Sequence, residues 1–420
     1  QMAGNALGVL QEISPPLAQK VLQAGTVTGD RVNGLLDGKT GDWYCRFDTR
    51  KPSTENKLPL TVVLSRYELQ EILLSCLEPG TVTNAKEVVR YEQDAGGVDL
   101  FLSDGSQQRC DVLVGADGIR SNIRKQMKEK SPLAGIVGDD PVYAGFTCYT
   151  STCEFEPPDI DEIGYQVFLG NNKYFVQSDI GPQEPGGKSH CQWYAFEKQA
   201  PGKEDDDGKT RKEKLKEIFG EWCPAVMDRI EASDNIERRD IYDRRPTLNW
   251  VDGRVCLLGD AAHAMQPNLG QGGCQAMEDA HRLGEELKGI IGAGNPNLQT
   301  PLALQSYQLR RIGRAGAVMG FARFAALMTT TYRGVLGADP YDFYPEPVQS
   351  FWHQVEKLNI PHPGAVLGQV AIMGSIQPIL QYVTAGGDTS GLPEDVLKIQ
   401  KMRDIPDDVF TMRGIPGFAK

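Results

Sequence analysis

The run Arg254-Val-Cys-Leu-Leu-Gly-Asp-Ala-Ala-His-Ala-Met-Gln-Pro-Asn-Leu-Gly-Gln-Gly-Gly-Cys has the residue types and spacing to do chemistry. Residues 255–258 are continuously apolar, as in a strand buried on both faces, and the run stops on Gly259-Asp260. Glycine lets the backbone approach a bound molecule where a side chain would collide. The carboxylate beside it only accepts hydrogen bonds, so it suits a chain of hydroxyls and repels a phosphate at close range. Pro267, Gly270, Gln271, Gly272, Gly273 and Cys274 then lead into a helix. Its apolar face is expected at Cys274, Met277, Ala280, Leu283, Leu287, Ile290 and Ile291. The free N–H groups at such a helix start carry partial positive charge. A hydroxyl-gripping carboxylate beside a positive helix end suits the ribityl chain and the anionic edge of a reduced flavin. A bare strand, turn and helix would not require Asp, Pro and four glycines together.

A second corner of the same kind has to stand next to the first. The apolar run that starts at Val112 enters Ala116-Asp117-Gly118, and a helix is expected to begin near Ser121. Two strand–turn–helix units with Asp at the turn imply a parallel sheet whose strand ends share one crevice, although the 116–118 turn alone is also a common bare turn. The strand expected at 60–64 ends on Ser65-Arg66. Ser65 is a suitable N-cap for a helix over 67–77, with Glu68 three residues on. Arg66 is a cation at that junction, placed either to reach a cofactor or to stay in solvent. Upstream, residues 6–22 read as a helix broken near Pro15-Pro16, and 27–36 and 43–47 as strands. Residues 98–102 and 109–113 read as a hairpin on Asp104-Gly105.

From about 141 to 250 the pattern is strand-rich, with strands expected at 144–149, 164–168, 173–178 and 191–196. Aromatic residues crowd these strands, and alternation sends half of them to each face. Phe146, Tyr149, Tyr165 and Trp193 are the candidate contacts for an apolar, extended substrate; the alternative is a sheet packed on its own core. The segments 181–189 and 201–216 read as exposed loops. Lys209, Arg211, Lys212, Lys214 and Lys216 form either a surface for an acidic partner such as ferredoxin or an ordinary charged face. Residues 302–328 read as helix. Residues 364–383 are an apolar stretch that packs on the domain or rests on a bilayer surface, and 385–420 is a loosely ordered polar tail.

The chain of 420 residues carries 44 basic and 56 acidic side chains, a formal net charge of -12 that argues against nucleic acid as a partner. Nine cysteines without a C-x-x-C pair read as reduced thiols. No apolar run reaches eighteen residues, and residues 1–5 show no targeting segment. The ADP half of a dinucleotide is normally cradled by G-x-G-x-x-G after a first strand, and no such string occurs. With the chain opening inside a helix, a first strand–helix–strand unit is expected to be missing from it by truncation. The expected fold is α/β: a three-layer FAD-binding fold with an inserted mixed or antiparallel β-sheet domain and a C-terminal helical region. Residues 1–26, 61–135 and 250–297 are assigned to the FAD-binding part, 27–60 and 136–249 to the sheet domain, 298–384 to the helical region and 385–420 to the tail.

With both corners placed, the chain resembles the flavin monooxygenases of the aromatic-hydroxylase type, in which such Asp-Gly and Gly-Asp strings are flavin fingerprints. Longer strings bring it closer to the zeaxanthin epoxidases of photosynthetic eukaryotes. These are Val27-Thr-Gly-Asp-Arg-Val-Asn-Gly, Asp42-Trp-Tyr-Cys-Arg-Phe-Asp-Thr, Thr147-Cys-Tyr-Thr, Tyr165-Gln-Val-Phe-Leu-Gly, Gln192-Trp-Tyr-Ala-Phe, Arg239-Asp-Ile-Tyr-Asp-Arg, His263-Ala-Met-Gln-Pro-Asn-Leu-Gly-Gln-Gly-Gly-Cys and Pro361-His-Pro-Gly. The departures are the first dinucleotide fingerprint and the forkhead-associated domain of the plant enzymes. The resemblance implies FAD held by Arg66, Asp117, Gly118, Gly259, Asp260, Pro267 and residues 270–274. It further implies molecular oxygen, and electrons from reduced ferredoxin or NADPH. The reaction implied is epoxidation of the β-ionone ring of a xanthophyll through a flavin C4a-hydroperoxide, in a plastid at the stromal face of the thylakoid. Alkene epoxidation needs no general base, so the cofactor carries the reaction and the protein supplies a dry slot; His263 is then positional. Two other readings stay open: hydroxylation of a phenolic ring, and a flavin-free relative that binds a carotenoid or a protein partner.

Overall fold

The computed structural model describes residues 1–130, 140–155, 162–170, 172–182, 186–202, 208–291, 296–330 and 375–384, with a few single positions between 345 and 354. In chain order come α1 (Gly4–Ile13), α2 (Pro15–Ala24), β1 (Thr26–Val27), β2 (Val32–Asp37), β3 (Trp43–Phe47), α3 (Arg50–Glu55), β4 (Val62–Val63) and α4 (Arg66–Leu74). They are followed by β5 (Val88–Gln93), β6 (Val98–Leu102), β7 (Gln107–Cys110), β8 (Leu113–Gly115) and α5 (Asn122–Glu129). The strand-rich part holds β9 (Val142–Glu154), β10 (Ile163–Gly170), β11 (Lys173–Pro182), β12 (Ser189–Lys198), α6 (Arg211–Phe219), α7 (Pro224–Glu231) and β13 (Glu237–Asp243). Then come β14 (Val251–Asp252), β15 (Val255–Leu257), α8 (Asp260–His263), a 3-10 turn (Pro267–Leu269), α9 (Gly272–Lys288), α10 (Pro296–Thr330) and a helix over 375–384, here α11. The fold is α/β, as the residue pattern predicts.

Local signals set the element ends. Ser65, Ser121 and Thr210 each accept a hydrogen bond from the backbone N–H three residues on, and Thr210 with Glu213 closes a capping box. Proline at the start of α2 and α7 has no N–H to lose there. The strand expected at 60–64 is buried throughout, but only Val62 and Val63 pair, with β1. The loop expected over 201–216 is corrected in its second half. From Arg211 the chain is helical, because Leu215 and Phe219 bury fully on the sheet while the basic residues stay on the outer side.

Seven strands form one sheet in the order β13-β9-β12-β11-β10-β2-β3, antiparallel except where β10 runs parallel to β2. Its two faces are both apolar. On one, Phe168, Phe175 and Trp193 pack under Phe219, Trp222, Val226 and Ile230 of the α6–α7 layer. On the other, Leu35, Cys148, Val167, Leu169, Tyr174 and Phe196 gather with Tyr165 and Ile376 of α11. A three-stranded sheet, β14-β15-β8, backs onto α10 through Trp250 and Tyr307, and β5-β6-β7 forms a separate meander. The string Pro361-His-Pro-Gly, residues 364–374 of the expected apolar stretch and the tail at 385–420 lie outside the described residues.

Phe219 closes the α6–α7 layer over the sheet, fully buried and edge-on to Phe175 and Trp222. Phe219→Ala is expected to cost about 3–5 kcal/mol, because the rigid sheet below cannot collapse into the space left. Equilibrium urea unfolding checks this.

Candidate flavin site

The two acidic corners stand at neighbouring strand tips. β15 runs parallel to β8 with Val255, Cys256 and Leu257 opposite Leu113, Val114 and Gly115. Two residues further along each strand lie Asp117 and Gly259, so the carboxylates of Asp117 and Asp260 leave the same edge of the same sheet. Both side chains are exposed there. Asp117 also accepts the Ile123 N–H at 3.3 Å, at the start of α5. Gly118 has φ +80°, with nothing within 4 Å of where a Cβ would stand. Gly259 has φ 60° and ψ -137°, a conformation open to glycine alone.

Charged side chains bolt the corners together. Arg124 of α5, 1% exposed, donates Nη1 to Ala261 O at 3.0 Å and to Ala262 O at 2.8 Å. Arg244 donates Nε to Ile119 O at 2.6 Å, and its backbone N–H to Ala264 O at 3.1 Å. Asp243 is held by Arg323 through both carboxylate oxygens at 2.8 Å and accepts from Gln266 at 2.9 Å. Tyr307 of α10 donates to Leu257 O at 2.9 Å and braces β15 from behind.

After Asp260 the chain makes the short helix α8 and the 3-10 turn at Pro267, then enters α9. No side chain caps α9, unlike α4, α5 and α6, so the first-turn N–H groups remain free of a side-chain acceptor. A Cβ built on Gly273 would meet nothing within 4 Å, and one on Gly272 only Asp260 Oδ1 at 3.9 Å. Open backbone donors, partial positive charge and the acceptor-only Asp260 carboxylate therefore stand side by side. That donor set fits the ribityl and pyrimidine edge of a flavin.

The expected apolar face of α9 is only partly right. Cys274 and Leu283 are buried, but Ala280 is exposed and Ile291, past the helix end, is 82% exposed. The buried positions between them are Gln275, Glu278 and Asp279. Ion pairs explain this burial. Arg311 of α10 gives Nε to Asp279 Oδ1 at 2.7 Å and Nη1 to Glu278 Oε2 at 2.5 Å. Arg314 grips both Glu278 oxygens, at 2.7 and 2.8 Å, and donates to Tyr382 O and Val383 O at the end of α11. Asn5 of α1 donates to Glu278 at 2.7 Å and to Gln271 at 3.1 Å. Burial alone would push the Asp279 carboxyl up, but His263 and Arg311 outweigh it and hold the group below the ordinary carboxylate range.

Among the other expected contacts, Gln271 is buried with its carbonyl oxygen held by Asn5 and Gln275. Cys274 turns away from the crevice into an apolar cluster with Leu7, Leu10, Val62 and Leu64. Arg66 is exposed at the first turn of α4, and Pro267 is exposed at the start of the 3-10 turn. The sheet residues divide. Tyr165 lies on the Tyr174–Phe196 face, and by alternation with Cys148 so does Phe146. Tyr149 and Trp193 face the opposite way, under α6 and α7, where Trp193 donates to Ser233 at 2.8 Å. Their expected place in a substrate slot is thus corrected: they are core. Residues not anticipated are Asn268, which donates to Tyr174 Oη at 3.1 Å and joins the 3-10 turn to the sheet, and Phe196, stacked on Tyr174 at 4.3 Å. Burial pushes the Tyr174 hydroxyl well above its usual range, so it stays protonated.

A family described as FAD binding domain matches residues 6–322. The chain belongs to this FAD-binding family. Curated relatives include chloroplastic zeaxanthin epoxidases of Spinacia oleracea, 45% identical over 394 residues, and of Oryza sativa subsp. japonica, 44% identical over 398 residues. Those matches take in 92% and 93% of this chain but 54% and 56% of the relatives, so the chain spans about half the length of the curated relatives it matches. Among solved structures, a Klebsiella pneumoniae HpxO variant complexed with FAD is 25% identical with a TM-score of 0.68, over 90% of this chain and 88% of that one. A salicylate hydroxylase substrate complex, 20% identical with a TM-score of 0.65 over 92% and 90% of the two chains, shares the fold.

Arg311→Met would leave the Asp279 carboxylate buried without its guanidinium partner, while Glu278 keeps Arg314, and is expected to cost about 3–5 kcal/mol. It should also flatten the acid sensitivity that Asp279 contributes. With its pKa depressed in the folded state, Asp279 contributes stability that is complete above about pH 4 and is lost as pH falls through the lower folded value. Removing Arg311 raises that folded value towards the unfolded one, so the variant has less of this stability to lose and its loss between neutral and acid pH is smaller than that of the unaltered protein. Urea unfolding of both proteins from about pH 3 to pH 7 measures it.

Proposed function

We propose that this chain is the flavin-binding and oxygen-activating part of a zeaxanthin epoxidase, an FAD-dependent monooxygenase acting on the β-ionone ring of a xanthophyll in a plastid. The observation that carries this reading is the pairing of two acid-bearing corners at one sheet edge, tied through Asn268 and Tyr174 to an apolar sheet face. The chloroplastic zeaxanthin epoxidase relatives support this substrate class and this compartment.

In this reading Asp260 and Asp117 accept hydrogen bonds from ribityl hydroxyls, and the open backbone at Gly272 and Gly273 faces the pyrimidine edge. Arg66 and Gly118 complete the grip, with Gly259, Pro267, Gly270 and Gln271 shaping the turn. When bound, the flavin supplies the transfer of one oxygen atom from O2 to the ring alkene, with electrons from reduced ferredoxin or NADPH. The protein side of the reaction is positioning and exclusion of water. Tyr165, Tyr174, Phe196, Val167 and Val176 offer a flat apolar wall on the side of the sheet that meets the Pro267 turn. A β-ionone ring, a hydrocarbon with one hydroxyl, gains by leaving water against such a wall. The apolar surfaces of α10 and α11 are the places where this chain would meet a thylakoid surface carrying its lipid-soluble substrate.

The aromatic-hydroxylase alternative needs a group to deprotonate or orient a phenol. The Tyr174 hydroxyl, which joins the turn to the wall through Asn268, is kept protonated by burial and so cannot take the proton of a phenol. That favours the alkene.

Asp260→Ala should lower flavin retention at least severalfold on gel filtration while far-UV circular dichroism stays unchanged. With flavin and reductant supplied, zeaxanthin should yield epoxides and a small phenol should yield none. Hydroxylated phenol with intact zeaxanthin would reverse the assignment.

A further inference from the structure

Asp260 can grip a ligand only if the corner that carries it keeps its conformation, and nothing in the corner itself enforces that. Gly259 is the most freely rotating residue type, and α8, which follows, spans only Asp260–His263. Arg124 and Arg244 hold the carbonyls that follow, at Ala261, Ala262 and Ala264, and the contact that holds Gly259 itself comes from α9, twenty residues further on. Asp279 Oδ2 accepts the Gly259 N–H at 3.0 Å, and the same oxygen accepts Nε2–H of His263 at 2.6 Å. The other oxygen, Oδ1, is taken by Arg311 at 2.7 Å. One carboxylate thus holds the first residue before α8 and the last residue of it, and is itself clamped from α10.

Asp279 and His263 are both 0% exposed. The imidazole gives its Nε2–H to Asp279 and leaves Nδ1 buried with no hydrogen-bond partner among the described residues, so its polar contact is directed wholly at this carboxylate. Trp250 packs on the ring at 5.3 Å between centroids, and Tyr307 continues the stack towards β15. The arrangement resembles an anion hook turned inward: three donors, from Gly259, His263 and Arg311, converge on a buried acid that touches no surface.

We propose that Asp279 is the positioning residue of the flavin corner, with His263 and Arg311 as the side chains that aim it. It acts through Asp260 and does not itself contact the cofactor. The proposal rests on the flavin reading above and adds a residue to it. Its mechanism is pre-organisation. A fixed corner presents the Asp260 carboxylate ready to accept, while a loose one must be ordered each time the flavin binds.

A double-mutant cycle separates this from general damage, using FAD and FMN titrated into the protein and followed by flavin fluorescence. Asp260→Ala and Asp279→Asn are each expected to raise the dissociation constant about tenfold, the value of one charge-assisted hydrogen bond. The isosteric amide keeps the packing but sets an N–H against one of the converging donors. If Asp279 works through Asp260, the double variant is no more than about twofold weaker than Asp260→Ala alone. Losses that multiply to about a hundredfold, or an Asp279→Asn protein that binds as tightly as the unaltered one, overturn the positioning role and leave the flavin reading standing. Failure of the unaltered protein to bind either flavin, or an Asp260→Ala protein with unchanged affinity, sinks the flavin reading itself and this inference with it. Should Asp279→Asn not fold, His263→Phe carries the same cycle, because it keeps a ring against Trp250 and removes only the donor to Asp279. Coupling to Asp260→Ala is expected there too, and full additivity counts against the proposal.

Discussion

Parallel pairing of β15 on β8 is the constraint from which the rest of the site follows. Parallel neighbours end at the same edge, so two chain segments more than a hundred residues apart release their glycine and acid corners side by side. An antiparallel register would have sent them to opposite ends. Every bolt around the crevice serves this one juxtaposition: Arg124 ties the first corner's helix to α8, Arg244 reaches from Ile119 to Ala264, and Tyr307 braces β15.

Beneath the crevice the protein buries two carboxylates and the Arg311 guanidinium, with Arg314 half-buried beside them, where an apolar seam would have been simpler. Replacing such a cluster by hydrocarbon is often neutral for stability, so ion pairs in a core are weak evidence of stabilisation for its own sake. What they provide is direction. A carboxylate with three donors has one orientation, whereas leucine packed against leucine tolerates several. The cluster also joins α1, α9, α10 and α11 at a single point, since Asn5, Glu278, Arg314 and the carbonyls of Tyr382 and Val383 meet there. The chemistry at the crevice mouth and the packing of four helices thus share one set of hydrogen bonds.

The seven-stranded sheet answers a different demand. Both of its faces are apolar, which alternation alone cannot distinguish from a sheet with one wet face when aromatic residues fall on both faces. Aromatic density marks a slot and a core equally well, so the residue pattern offers Trp193 and Tyr149 as substrate contacts although they are core. Only the covering layer of α6 and α7 shows which face is which. That layer is hard to read for a related reason: Arg211 to Phe219 carries too many charges to look buried, and only Leu215 and Phe219 are fully covered, with Ile218 half-buried beside them. On α9 the error ran the other way. Apolar periodicity pointed to Ala280 and Ile291, while the buried stripe is Gln275, Glu278 and Asp279, invisible without the arginines that neutralise it.

What the residues determine alone is local: the capped helix starts at Ser65 and Ser121, the breaks at Pro15, the glycine corners, and the acid next to each. These depend on contacts within a few positions, so spacing and residue type suffice to read them. Which corners meet, which sheet face is left for a ligand, and why Asp279 is buried depend on partners 32 to more than 130 residues away, as with Arg311 on Asp279 and Arg124 on Ala261. Such pairings are chosen by packing of the whole chain, where the cost of an unpaired buried charge decides the partner, and that cost exists only once the tertiary structure has excluded water.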